Sequence, residues 1–130
     1  MTSLIELKRT NTILYCRNWQ ETAHFYREQL RLPVVFANDW FIELRLTTTS
    51  FLSIANAARA TIDAVQGQGI TLTWQVDDVA AARAKLKASG IDVTPIQQKW
   101  GSQVCYCTDP EGHRLELWSP EPANEDKPDE

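Results

Sequence analysis

The sequence predicts an α+β domain built from two β-α-β-β-β modules in tandem. Three observations carry that reading. A strand, a capped amphipathic helix and three short strands occur in the same order twice, and the capping residues Asn18 and Asp78 stand 60 positions apart, with Arg17-Asn18-Trp19 matching Asp77-Asp78-Val79. Each helix runs into a breaker, Pro33 in the first copy and Gly90 in the second. Two capped helices among many short strands exclude an all-β architecture.

Residues 10–17 (TNTILYCR) are rich in β-branched and apolar side chains, which favours a strand. Asn18 then supplies an N-cap, and Glu21 three residues on completes a capping-box pattern. Trp19, Ala23, Tyr26 and Leu30 follow at helical spacing and give one apolar stripe. Pro33 ends this helix by residue 32. Strand-like runs come next at 34–37, 40–46 and 50–54, with Asn38-Asp39 as the first turn.

Residues 55–69 are alanine-rich and glycine-tipped without a strong period, so they read as a connector with room for a short helix. The pattern then restarts. A strand is predicted at 70–76, and Asp78 caps a second helix carrying Val79, Ala82 and Leu86. Gly90 occupies the position of a left-handed C-terminal cap. Strands follow at 91–96, 103–108 and 113–118, the last two joined by Asp109-Pro110-Glu111-Gly112, a strong turn signal. The expected organisation is one domain over residues 1–118, with modules at about 10–54 and 70–118 and an acidic tail at 119–130.

Composition narrows the partners. The net charge of −4 belongs to the tail, where Glu121, Glu125, Asp126, Asp129 and Glu130 stand against Lys127. The remaining 12 acids and 12 bases cancel. A neutral body lacks the surplus of Lys and Arg that nucleic-acid binding requires, so no nucleic acid is expected. The tail's prolines and near absence of apolar residues predict disorder there. No apolar run reaches the length of a membrane span and no signal-peptide pattern opens the chain, so a cytoplasmic location without membrane contact is expected. The three cysteines form no framework, and Cys105 and Cys107, one residue apart on a strand, read as small buried hydrophobes.

Three stretches carry a resemblance to a known family. They are AHFYREQL at 23–30, WQVDDVAAARAKLKASG at 74–90 and, most specific, WGSQVCYCTDPEGHRLELW at 100–118. Taken in order, they resemble the glyoxalase / bleomycin-resistance / extradiol-dioxygenase (vicinal oxygen chelate) superfamily over residues 10–118. The resemblance implies that the modules form a curved, half-barrel mixed sheet whose concave face holds a ligand. In metal-dependent members of that superfamily four inward side chains chelate a divalent cation, which then acts as a Lewis acid. Carried onto this chain, those positions fall on Asn11, Ser53, Thr71 and Glu116.

An amide, two hydroxyls and one carboxylate make a poor transition-metal site, which prefers imidazole, thiolate or several carboxylates. The two histidines do not repair it. His24 lies off the apolar stripe of the first helix, and His113 follows the turn glycine, where a polar residue serves the hairpin. Glu43 could join Glu116 only in a weak hard-cation site. No metal and no cofactor are therefore expected, and the four positions are expected to converge on the concave face as polar ligand contacts.

The leading functional expectation is a metal-free protein that binds a small organic molecule, as in drug sequestration, and catalyses nothing. Of the five tryptophans, Trp19 and Trp74 fall on the helix side of their sheets. Trp118 shares phase with Glu116, and Trp100 begins the loop before a groove strand, so these two are the candidates to stack on a flat ligand. Glu116 would then receive a ligand donor or pair with Arg45 or Arg114. Two other classes stay open: a glyoxalase- or dioxygenase-type enzyme with displaced ligands, and a non-catalytic interaction module. Exposed sheet edges predict a homodimer.

Overall fold

The computed structural model describes residues 3–121. The chain divides into two compact units. The first runs to Ile70 and also contains Thr108–His113, and the second comprises Thr71–Cys107 and the chain from Arg114 onward.

In the first unit β1 (Thr10–Cys16), β2 (Val34–Ala37), β3 (Phe41–Arg45) and β4 (Ser50–Asn56) form a mixed sheet in the order β1-β4-β3-β2. β1 and β4 are parallel, with Asn11 beside Phe51 and Ile13 beside Ser53. Helix α1 (Trp19–His24) packs on this sheet. Leu14, Cys16, Ile42, Leu44, Leu52 and Ile54 alternate onto the buried face, and each is at most 2% exposed. Burying side chains of this kind stabilises by roughly 1.5–3 kcal/mol apiece relative to exposure. That term favours the observed register in β1 and β3, where a one-residue slip would turn the apolar set outward, whereas β4 is buried on both faces.

The helix differs from the expectation in two ways. The turn after His24 widens to π geometry over Phe25–Gln29, with Leu30 N–H donating to Phe25 C=O at 2.9 Å. The insertion buries Phe25 as well as Tyr26, and the two rings meet edge to face at 5.0 Å. The capping box also fails. Asn18 makes no side-chain cap, and its amide instead donates to Glu21 at 2.9 Å. The N–H groups of Arg17 and Asn18 are satisfied by Glu111, at 3.0 and 2.8 Å. A carboxylate from more than ninety residues away displaces the local acceptor because it reaches two donors at once.

The second unit repeats the plan. β5 (Thr71–Gln75), β6 (Gln97–Lys99), β7 (Ser102–Thr108) and β8 (Arg114–Pro120) are ordered β5-β8-β7-β6, and helix α2 (Val79–Ala88) packs on β8. β5 and β8 are parallel, with Thr71 beside Arg114 and Thr73 beside Glu116. Here the predicted cap holds: Asp78 Oδ1 accepts from Ala81 N–H at 3.1 Å. Gly90 closes the helix at φ +83°, as its position required. Thus the chain is α+β, with two four-stranded mixed sheets, neither closed into a barrel.

Two boundaries need correction. Residues 91–96 do not form a strand, and the second strand of the second module is Gln97–Lys99, inside what reads as a loop. Pro95 has no N–H for a ladder, so pairing is limited to Thr94 with Tyr106 until the chain has passed it. At the other end β8 continues through Pro120, and Glu121 N–H donates to Gly101 C=O at 3.0 Å. The ordered body therefore extends past residue 118, and the expected tail at 122–130 lies outside the described residues. Among the described residues no helix is long and apolar enough to cross a membrane.

Candidate functional site

Strand alternation sorts the second sheet into two faces. Leu115, Leu117 and Ser119 turn toward α2, where Ser119 Oγ accepts from Val79 N–H at 3.3 Å. Arg114, Glu116 and Trp118 turn to the opposite, open face, and Thr71 and Thr73 stand beside them on β5. On this face lies a pocket of about 310 Å³, lined by Thr73, Lys99, Trp100, Ser102, Val104, Glu116 and Trp118. Three residues singled out from the sequence, Trp100, Glu116 and Trp118, therefore meet around one cavity.

Glu116 accepts a hydrogen bond from Thr73 Oγ1 at 2.6 Å, which leaves the rest of the carboxylate available to a ligand donor. Trp118, half-buried, forms a wall of the pocket. Trp100 is different: its side chain is 98% exposed. It sits at the tip of the β6–β7 hairpin between Lys99 and Ser102, where Trp100 has φ +49° and Gly101 φ +75°. Two consecutive positive φ values are what a tight two-residue hairpin needs. For a bulky residue that backbone costs roughly 1–2 kcal/mol. Neither the strain nor the exposed indole is offset by packing within the chain.

The four positions carried over from the family have defined partners. In the first unit Ser53, fully buried, donates from Oγ to Asn11 Oδ1 at 2.9 Å. In the second, Thr71 Oγ1 accepts from Arg114 Nε at 3.0 Å, while Glu116 bonds Thr73 rather than Thr71. Thr71 does not line the pocket; a guanidinium held on its hydroxyl makes that position unsuited to a cation. Among the described residues no group of three His, Cys, Asp or Glu side chains could hold a metal ion. Glu43 is engaged by Arg9, which also lies over the Phe51 ring at 3.8 Å. The donor chemistry does not fit the divalent cation of metal-dependent members, and no step is derived through one.

Neither histidine lines this pocket. His24 is exposed, as its helical phase predicted, and borders a pocket of about 400 Å³ with Gln20, Glu21, Gln29 and Pro110. His113 is only 3% exposed, and its Nδ1 lies 2.8 Å from Asp109 Oδ2. Tyr26 Oη donates to the same oxygen at 2.7 Å. Asp109 Oδ1 meanwhile accepts the N–H groups of Glu111, Gly112 and His113. Burial pushes the Asp109 carboxyl up, but the His113 and Tyr26 bonds outweigh it and hold the group below its usual range. This network was missed in the sequence, where only the turn was legible.

The three cysteines are buried, as expected. Burial, reinforced by Glu111 and Asp109, pushes the Cys16 thiol up to about 12, and burial also raises Cys105. Neither is a nucleophile at neutral pH.

Two repeated sheet-and-helix units, one carrying an aromatic-walled pocket on its open face, define a small α+β scaffold of the paired-module class. The sequence agrees: over residues 8–117 the chain belongs to the Glyoxalase/Bleomycin resistance protein/Dioxygenase superfamily. Solved structures share the fold at low identity. A glyoxalase/bleomycin resistance protein/dioxygenase from Nocardioides superposes with a TM-score of 0.74 at 15% identity, covering 98% of this chain and 91% of that one. Lactoylglutathione lyase from Agrobacterium tumefaciens gives 0.71 at 17%, covering 92% and 96%. TnmS3, an antibiotic-binding protein from Streptomyces, gives 0.73 at 16%, covering 93% and 100%. No curated protein sequence matches the chain. An enzyme and a binding protein thus share this fold, and the choice between them rests on the residues of the site.

Proposed function

We propose that this protein binds a small, flat organic molecule in the pocket of the second sheet, without a metal or other cofactor and without catalysing its conversion. The observation that carries this reading is the meeting of Trp100, Trp118 and Glu116 around one cavity of about 310 Å³. Trp118 supplies a fixed aromatic wall, and Trp100, exposed and strained in the free chain, gains burial when a ring stacks against it. Glu116 accepts a donor from the ligand. Asn11 and Ser53, bonded to each other, and Thr71, bonded to Arg114, do not line that pocket and take no part in the proposed contact. The family's resistance proteins make drug sequestration in the cytoplasm the natural role.

A thermal-shift screen over aromatic drugs and metabolites tests it directly. A ligand at about 100 times its Kd adds about 2.7 kcal/mol of stability. The expected hit quenches tryptophan fluorescence, is recovered unchanged, and binds equally after treatment with a chelator. Chelator-sensitive binding or ligand turnover dependent on added divalent metal would replace this reading with the metalloenzyme one.

The same reading includes a homodimer. β2 is an edge strand, and its Val34, Val35 and Phe36 are 45%, 43% and 52% exposed. An exposed apolar edge of that kind is usually covered. Light scattering should give twice the 14.8 kDa chain mass; a single-chain mass at high concentration would remove the dimer from the proposal.

A further inference from the structure

We infer that the ligand of the second-sheet pocket is an aromatic acid, its ring against Trp118 and its carboxylate held by Lys99 and Arg114; this rests on the pocket reading above. Tyr106 stands on β7, the strand next to β8. Lys99 Nζ lies 5.2 Å from the centroid of its ring and 3.4 Å from its hydroxyl. The Arg114 guanidinium carbon lies 4.9 Å from the same centroid. Two cations are thus gathered on one aromatic ring beside the pocket. Neither has a carboxylate partner among the described residues, whose ion pairs lie elsewhere.

A π face returns only about 0.5–1 kcal/mol to a cation at an exposed site, so the ring leaves both charges largely uncompensated. A ligand carboxylate that reaches them supplies the missing counter-charge. The atoms for it are present: Arg114 uses Nε on Thr71 Oγ1, which leaves both terminal nitrogens for a carboxylate, and Lys99 lines the pocket itself. Glu116, the carboxylate on the same face, is bonded by Thr73, so two cations stand against one partly satisfied anion. The face therefore selects a net negative ligand, and Glu116 selects among such acids for one that carries a hydroxyl or amine donor.

The test uses three probes that share one ring system: naphthalene-2-carboxylate, naphthalene-2-carboxamide and 2-naphthylmethylammonium. Each is titrated into the full chain by calorimetry, with tryptophan fluorescence as a second readout. The carboxylate should bind about tenfold tighter than the amide, and the advantage should shrink at high salt, because exposed charges are screened. Lys99→Met and Arg114→Met should each weaken carboxylate binding more than amide binding and so erode that advantage. Glu116→Gln should strengthen carboxylate binding. If amide or ammonium binds as tightly as the acid while tryptophan fluorescence is quenched, the pocket stands and the charge selection falls. If none of the three binds or quenches, the pocket reading falls with it.

Discussion

Tyr26 and Asp109, 83 residues apart in the chain, share a buried hydrogen bond of 2.7 Å. The phenol comes from the π-widened turn after α1 and the carboxylate from the turn between β7 and β8. The same turn sends Glu111 to the N–H groups of Arg17 and Asn18. One four-residue turn therefore both completes the start of a helix and anchors its end. The two roles are separable by substitution.

Tyr26→Phe removes the phenolic donor and leaves the buried Asp109 carboxylate with one partner fewer. A loss of about 1–3 kcal/mol is expected in urea unfolding, since hydrogen bonds to charged groups lie in that range. Asp109→Ala removes the acceptor of the Glu111 and His113 N–H groups and of the His113 ring, while Gly112 N–H keeps the Asp109 C=O, and should cost at least about 3 kcal/mol. Equal, small effects for both variants would mean that the turn is held by packing alone.

Acid should destabilise the protein through Asp109. Its carboxyl is held below the ordinary 3.8 in the folded chain, so the unfolded chain binds the proton first as pH falls. The stability it contributes is complete above 3.8 and is lost progressively below that value, as pH passes through the folded pKa. The midpoint of urea unfolding should drop steeply below pH 4, and Asp109→Asn should flatten that drop.

Glycine replacements should separate crowding from backbone strain. At Gly112, with φ +112°, an added Cβ would stand 2.6 Å from Gln66 C=O, and at Gly67 it would stand 2.5 Å from Gly112 C=O. Gly69 has φ +80° and open space around it. Gly69→Ala should therefore cost only about 1–2 kcal/mol, the price of a left-handed residue. Gly112→Ala and Gly67→Ala should cost clearly more, because backbone has to move. Thermal unfolding of the three variants provides the ranking.

The two pocket tryptophans should respond differently to truncation. Trp100→Ala removes a side chain that packs on nothing, so stability should change by less than about 0.5 kcal/mol while ligand binding weakens. Trp118→Ala should lower both. Metal content measured on protein purified without chelator should stay substoichiometric in all of these proteins.

The sequence by itself determined the fold class, because hydrophobic period and capping are local. Alternating Leu115, Leu117 and Ser119 against Glu116 and Trp118 established which face of the last strand is buried, and Asp78 and Gly90 marked the second helix at both ends. It also carried the expectation, through the family resemblance, that Asn11, Ser53 and Thr71 stand where metal-dependent members place metal ligands. What only the tertiary structure decided depends on groups distant in the chain. Asn18 and Glu21 form a sound capping pattern, yet Glu111 takes the N–H groups of Arg17 and Asn18 just before the helix because it offers two acceptor oxygens in one place. His113 reads as a turn residue until Tyr26 arrives to share its carboxylate. Lys99 and Tyr106 carried no signal, because their meeting with Arg114 depends on strand register, which is set by the core packing beneath the sheet rather than by the residues on its open face.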